Sequence, residues 1–329
     1  FAGDSTVAPD LRLLASRHGG GFDIVSRDTL DRRWIVRWER DTASGIYELY
    51  DRRTRRLTPL FESNPALGEL PLAPMEGVIA TARDGRPIPC YLTLPRGVPA
   101  RALPLVVMPH GGPWFRDQWG YAPEVQWLAN RGYAVLQPQF RGSTGYGLAW
   151  LNAGDRQFGP GRVLGDIVGA ARWAARQGIA DSTRLGIMGG SFGGYATLCA
   201  LAFEPGRFRC GVDLVGPSDL AHLIGTFPPY WEARRRRWLN RMGDVLADSV
   251  LNRRLSPLHH ADAIRSPLLV AHGVNDPRVK LEASERIVAA LRERGRDVTF
   301  LVYPDEGHGL VRRENLRDFS ARVEEFLAK

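Results

Sequence analysis

The chain has 329 residues, of which 44% are hydrophobic and 24% charged, with a formal net charge of +8. That length accommodates one large domain and a smaller piece, and the composition is ordinary for a soluble globular protein. No apolar run reaches the roughly 20 residues that a bilayer span needs, and no nucleic-acid motif accompanies the positive charge, so neither a membrane span nor a nucleic-acid partner is expected.

In chain order, residues 1–70 read as an antiparallel β-meander followed by a linker. Residues 34–38 (Trp-Ile-Val-Arg-Trp) and 46–50 (Ile-Tyr-Glu-Leu-Tyr) alternate with period two, and the polar turn between them ends at Gly45. A further short strand is expected at 55–60. A sheet of this size is a poor independent domain, so it reads as one blade of a larger array. Residues 61–77 are rich in Pro, Leu and Gly and read as the linker. The chain starts at Phe1 rather than Met and carries no secretory signal pattern. A missing upstream segment is therefore expected, with any targeting signal lost with it, and the compartment is left open between cytoplasm and periplasm.

Within residues 71–329 the pattern changes from about residue 78. Strands are expected at 105–108, 134–136, 185–188, 211–215, 268–271 and 298–302. Helices are expected at 125–130, 163–176, 195–203, 281–292 and 314–327. Such alternation implies a mostly parallel sheet covered on both faces, an α/β fold. Residues 217–260 interrupt it and read as helices capping the sheet edge where ligands bind. The run Arg234 to Arg237 lies there and reads as a solvated helix face. Nearly all the basic residues are Arg; Lys280 and Lys329 are the only lysines. Cys90, Cys199 and Cys210 fit neither a metal site nor a disulfide framework, and Cys199 reads as buried packing.

Gly189-Gly190-Ser191-Phe192-Gly193 is a G-x-S-x-G motif between a strand and a helix. That context places the serine hydroxyl on a sharp, strained turn with small neighbours, as in the α/β-hydrolase fold. A serine needs a base to take its proton. His308, in Asp305-Glu306-Gly307-His308-Gly309, follows a strand and is the candidate base. Asp276 follows the strand at 268–271 and is the candidate acid that orients the base. Asp305 and Glu306 are too near His308 in sequence for that role, and Asp262 follows no strand. His110-Gly111-Gly112-Pro113 matches the loop that supplies an oxyanion donor, which makes the Gly112 and Phe192 N–H groups the candidate oxyanion hole. Asp166 is expected to cap or pair with the loop at 141–147. His259-His260 has no carboxylate or cysteine partner in view, so no metal site is assigned, and no cofactor is expected.

Taken together, His110-Gly-Gly-Pro113, Arg141-Gly-Ser-Thr-Gly-Tyr-Gly147, Gly189-Gly-Ser-Phe-Gly-Gly-Tyr195, Gly273-Val-Asn-Asp-Pro-Arg278 and Asp305-Glu-Gly-His308 resemble the prolyl oligopeptidase family of serine peptidases, most closely its acylaminoacyl-peptidase-like branch. The resemblance covers about three-quarters of the chain. It implies an α/β-hydrolase catalytic domain at 71–329, with 1–70 as the last blade of a truncated β-propeller plus linker. It implies that Arg278 binds a substrate carbonyl, the alternative being a surface arginine. It also implies that Phe227, Tyr230 and Trp231 line the pocket before the scissile bond, the alternative being the core of a capping helix. The paired glutamates that hold a free substrate amine in dipeptidyl peptidases are not evident.

The expected activity is serine-type hydrolysis of short peptides through an acyl-enzyme, of the oligopeptidase or acylaminoacyl-peptidase kind. A carboxylesterase using the same Ser-His-Asp set and a non-catalytic binding module on the same fold are the alternatives. Expected partners are a short peptide or ester substrate, with either a second copy of the chain or a missing N-terminal propeller segment.

Overall fold

The structure, a computed structural model, describes residues 5–18 and 21–329. They group into two compact units. The first holds residues up to 76 together with 93–98 and 118–132; the second holds 77–92, 99–117 and 133–329.

In the first unit, β1 (Phe22–Arg27), β2 (Arg33–Trp38), β3 (Ile46–Asp51) and β4 (Arg56–Glu62) form one antiparallel sheet in sequential order. The period-two pattern of β2 becomes physical here. Trp34, Val36 and Trp38 are all fully buried, while Arg33, Ile35 and Arg37 take the other face. Trp34, Val36, Trp38 and Tyr50 pack with Leu14 of α1 (Ala8–Ala15) into one core. Burying each such side chain stabilises by roughly 1.5–3 kcal/mol. The Tyr50 hydroxyl donates to Asp10 Oδ1 at 2.7 Å, and Arg52 Nε donates to Asp10 Oδ2 at 3.0 Å. Helix α1 was not expected from the sequence: at eight residues it is too short for a periodic signal, and only Pro9 near its start marks it. Helix α2 (Pro123–Asn130) also belongs to this unit, where the Gln126 amide bridges the Ala73 N–H at 2.8 Å and C=O at 2.7 Å.

The expected linker at 61–77 is shorter than its composition suggests. β4 runs to Glu62, a 3₁₀ turn occupies Pro65–Glu69, and β5 (Met75–Thr81) has begun by residue 75. β5 and β6 (Pro87–Thr93) are two strands that the sequence reading left out. The residues between them turn tightly, with Gly85 at φ 81°, so the Asp84-Gly85 pair was the available signal.

β5 and β6 join β7 (Leu103–Val107), β8 (Ala134–Pro138), β9 (Ala180–Gly190), β10 (Cys210–Leu214), β11 (Leu268–Gly273) and β12 (Val298–Tyr303) in an eight-stranded sheet. Its order is β12-β11-β10-β9-β7-β8-β6-β5, and β7 to β12 pair in parallel. Every residue of β8 and β11 is buried, as strands covered on both faces must be. Among the helices are α3 (Leu148–Asn152), α4 (Arg162–Arg176), α5 (Phe192–Phe203), α6 (Leu220–Gly225), α7 (Glu232–Met242), α8 (Ser249–Leu255), α9 (Glu282–Arg292) and α10 (Arg313–Leu327). In α5, residues 192–202 are all buried, so it is apolar all round rather than amphipathic. The strand order reverses around β7, which lies between β8 and β9, and ligand sites form at such a point beyond the strand C-termini.

The loop after β8 is tied down by charge. Arg141 Nε and N–H donate to Asp166 Oδ2 of α4 at 2.9 and 2.8 Å, and Arg141 Nη1 donates to Asp84 at 2.6 Å. Arg141 and Asp166 are buried, and Asp166 thus pairs with this loop as its sequence context suggested. All three cysteines are free thiols, with Cys90 and Cys199 buried. No helix among the described residues is long and apolar enough to cross a membrane.

Removing one partner of a buried ion pair strands the other charge in a poorly solvated site. Asp166→Ala is therefore expected to lower stability by about 3–5 kcal/mol in urea unfolding. Breaking the exposed pair Arg184–Asp181 with Asp181→Ala should leave the unfolding midpoint close to that of the parent.

Candidate active site

Ser191 lies where β9 ends and α5 begins, at φ 56° and ψ −117°. A non-glycine residue held there costs about 1–3 kcal/mol, so the surroundings must enforce it. The Ser191 N–H donates to the Leu214 carbonyl at 2.8 Å, and the Ser191 carbonyl accepts from Tyr195 N–H at 3.0 Å, opening the helix. The motif glycines are required by contact. A Cβ on Gly193 would lie 2.1 Å from the Pro109 carbonyl oxygen, and one on Gly189 would lie 2.5 Å from Gly193 backbone.

The loops after β11 and β12 bring the other two residues in. Ser191 Oγ donates to His308 Nε2 at 2.9 Å, and His308 Nδ1 donates to Asp276 Oδ2 at 2.7 Å. Asp276 is 3% exposed, and its Oδ1 accepts from Arg278 N–H at 2.7 Å and Val279 N–H at 3.0 Å. Burial pushes this carboxyl up, but hydrogen bonds from His308, Val279 and Arg278 outweigh burial and hold it below the usual carboxylate range. The two loops are stitched together by Asn275, whose N–H donates to the Glu306 carbonyl at 2.9 Å and whose side chain donates to the Pro304 carbonyl at 2.8 Å.

Asp305 and Glu306 are occupied otherwise. Glu306 accepts from Val311 N–H at 3.1 Å and Arg312 N–H at 2.8 Å, which shapes the loop that carries His308. Asp305 pairs with Arg312 at 2.9 Å. His272, fully buried in β11, lies 3.6 Å from Asp276 Oδ2. Burial lowers its pKa and keeps it neutral, so Nε2–H donates to the Val279 carbonyl at 3.0 Å and Nδ1 accepts from Ser284 Oγ at 2.7 Å.

In the loop after β7, His110 is buried and stacks on Phe140 with ring centroids 4.2 Å apart. Its Nδ1–H donates to the Gly111 carbonyl at 2.7 Å and its Nε2 accepts from Ser143 Oγ at 2.7 Å, which fixes the loop of Gly112. Burial lowers the His110 pKa to about 4, leaving it uncharged near neutrality. The Phe192 N–H opens α5 and has no acceptor within the helix. Both Gly112 and Phe192 line the cavity that holds Ser191.

That cavity has a volume of about 760 Å³. Phe227, Trp231 and Arg278 line it, together with His308. Tyr230 does not: the 3₁₀ turn Pro229–Trp231 points its ring outward, 82% exposed, and this corrects its expected place in the pocket. Trp114 and Trp238 line the cavity without having been foreseen, their rings 5.2 Å apart, because they come from segments far apart in sequence. Arg234 and Arg237 also line it while remaining exposed, so part of the solvated arginine run faces the cavity. His259 has a carboxylate neighbour after all, Asp219 at 3.7 Å. Among the described residues no three His, Cys, Asp or Glu side chains cluster as a metal site would need.

Beneath Ser191 lies a buried acid missed in the sequence. Asp213 of β10 accepts from Gly216 N–H at 2.9 Å through Oδ1, while its Oδ2 has no hydrogen-bond partner among the described residues. Burial pushes this carboxyl up to about 7. A Cβ on Gly194 or Gly216 would lie 2.1 or 2.3 Å from Asp213 Oδ1.

Residues 119–329 match the model of the prolyl oligopeptidase family. This chain belongs to that family. Ser191, Asp276 and His308 fall inside the matched region, and the His110 loop falls just before it. The chain is 44% identical to dipeptidyl aminopeptidase BIII of Pseudoxanthomonas mexicana, over 99% of the chain and 48% of that protein. It is 37% identical to dipeptidyl peptidase family member 6 of Caenorhabditis elegans, over 99% of the chain and 47% of that protein. A puromycin-hydrolyzing peptidase of Mycobacterium tuberculosis superposes with a TM-score of 0.81 at 27% identity, covering 90% of this chain and 46% of that one. The chain thus spans about half the length of the curated relatives it matches. The α/β-hydrolase fold expected from the sequence is the fold of this family member.

His110 and Asp213 bias stability in opposite directions. His110 has a folded pKa of about 4 against roughly 6.5 unfolded, so its contribution is full above the unfolded value. About 3 kcal/mol of it is lost as pH falls from 6.5 to 4. Asp213 has a folded pKa of about 7 against roughly 3.9 unfolded, so about 4 kcal/mol is lost as pH rises between those values. In urea unfolding from pH 4 to 8, Asp213→Asn should gain on its parent as pH rises, and His110→Asn should gain on its parent as pH falls.

Proposed function

We propose that this chain carries the catalytic apparatus of a serine peptidase that cleaves short peptides through an acyl-enzyme. The observation that carries the proposal is the continuous chain Ser191 Oγ, His308 Nε2, His308 Nδ1, Asp276 Oδ2, at 2.9 and 2.7 Å. Ser191 Oγ attacks the substrate carbonyl as His308 Nε2 takes its proton. The Gly112 and Phe192 N–H groups receive the developing oxyanion. His308 returns the proton to the leaving amine as the C–N bond breaks. Water, deprotonated by His308, then cleaves the acyl ester and frees Ser191. Asp276 keeps its charge throughout and holds the ring in the tautomer with a free Nε2.

The names borne by the relatives support peptide over ester substrates, and the long alignment with dipeptidyl aminopeptidase BIII supports release of short N-terminal fragments. Arg278, on the cavity wall, is a candidate for a substrate carbonyl, and Phe227 and Trp231 for the side chain before the scissile bond. The four-stranded meander β1 to β4 reads as one propeller blade, supported by its sequential antiparallel order.

Ser191→Ala should abolish turnover and labelling by a fluorophosphonate while leaving the unfolding midpoint close to the parent. Asp276→Asn should lower kcat by roughly 10³–10⁴. Matched peptide anilides and esters decide the substrate class: turnover of esters alone would replace the peptidase reading with an esterase. Absence of any adduct on Ser191 in the folded protein would leave only a binding module.

A further inference from the structure

We infer that α7 presents Arg234 and Arg237 as a carboxylate-recognising pair at the cavity. The favoured substrates are then short peptides with a carboxylate near the bond to be cut. The inference rests on the proposed hydrolysis for the bond cleaved, but not for the binding itself.

The helical phase of α7 sorts its arginines. Arg235 and Arg236 turn to Glu232, at 3.3 and 3.0 Å. Arg241, one turn beyond Arg237, is paired with Asp155 at 3.0 Å and also lies over the Trp114 ring, 5.4 Å from its centroid. Arg234 and Arg237, three residues apart on one face, line the cavity of Ser191 and His308 and have no carboxylate within ion-pair reach among the described residues. Each lies over an indole. The Arg234 guanidinium carbon lies 4.5 Å from the Trp231 ring centroid, and that of Arg237 lies 5.5 Å from the Trp114 centroid. A guanidinium lying on an aromatic face is held without using its N–H edge, which stays free for a planar anion. Arg278 adds a third positive charge, and no Asp or Glu lines the cavity. Trp114, Phe227, Trp231 and Trp238 supply an apolar wall beside these charges. A ligand with an apolar side chain and one carboxylate matches both halves of the cavity.

That carboxylate has two sources, an Asp or Glu side chain beside the scissile bond or the free C-terminus of a short peptide. The test uses one short peptide in three forms: C-terminally free, C-terminally amidated, and amidated with one Glu beside the scissile bond. Cleavage is followed by mass spectrometry, and binding to a Ser191→Ala variant by tryptophan fluorescence. Arg234→Gln/Arg237→Gln should lose roughly tenfold or more in kcat/KM and in affinity for whichever form carries the recognised carboxylate. Its loss on the neutral amide should be much smaller. The preference should weaken with added salt. Arg235→Gln/Arg236→Gln removes the same charge from the same helix and should change nothing. Equal losses in the two double variants, equal losses on the neutral peptide, or no preference among the three forms in the parent would overturn the inference. Turnover without carboxylate preference would leave the peptidase reading standing alone. Carboxylate-selective binding without turnover would leave only the recognition pair.

Discussion

The site depends on how closely the backbone of α5 lies against the loop after β7. The gap between Gly193 and the Pro109 carbonyl is too small for a methyl group. That contact fixes the start of α5, and with it the strained conformation of Ser191. The parallel sheet does the rest. Because β7, β9, β11 and β12 run the same way, the loops holding His110, Ser191, Asp276 and His308 leave from one edge. Three residues spread over 117 positions of chain meet without any of the loops being long.

Electrostatics divides the buried carboxyls into two kinds. Asp276 receives donors on both oxygens, so the hydrogen bonds exceed the cost of burial and the charge is retained. Asp213 has one donor and one orphaned oxygen, so burial dominates and the neutral form is favoured. The difference lies in the backbone around each. The turn after Asp276 aims two N–H groups at one oxygen, whereas the strand carrying Asp213 can spare only Gly216. The buried imidazoles follow the same rule. His110 and His272 are each satisfied in the neutral form by one acceptor and one donor, and burial outweighs what the carbonyls and, for His272, the nearby Asp276 offer the charged form.

The sequence was legible wherever chemistry sits in a short loop beside a strongly patterned element. Gly189 to Gly193 between a buried strand and an apolar helix, and His308 after another strand, needed no tertiary information. The period of β2 likewise announced Trp34, Val36 and Trp38 as one face. Properties that depend on where distant segments meet were not legible. Trp114 and Trp238 face each other across about 120 positions of chain. The split of the arginine run required knowing the phase of α7, and the outward ring of Tyr230 required knowing that Pro229–Trp231 is a 3₁₀ turn. β5 and β6 were hidden because a proline-rich stretch upstream masked the start of the hairpin, and α1 because eight residues carry too little periodicity.

Positions 194, 213 and 216 have an entangled fate in any drifting lineage of this sequence. The carboxyl of Asp213 occupies the space into which a methyl on either glycine would project. The same methyl would also meet backbone: one on Gly194 would lie 2.8 Å from Gly216 Cα, and one on Gly216 would lie 2.6 Å from the Gly194 carbonyl carbon. A smaller residue at 213 therefore opens neither position. The two glycines are locked by each other as well as by the acid, and a lineage can change neither one singly.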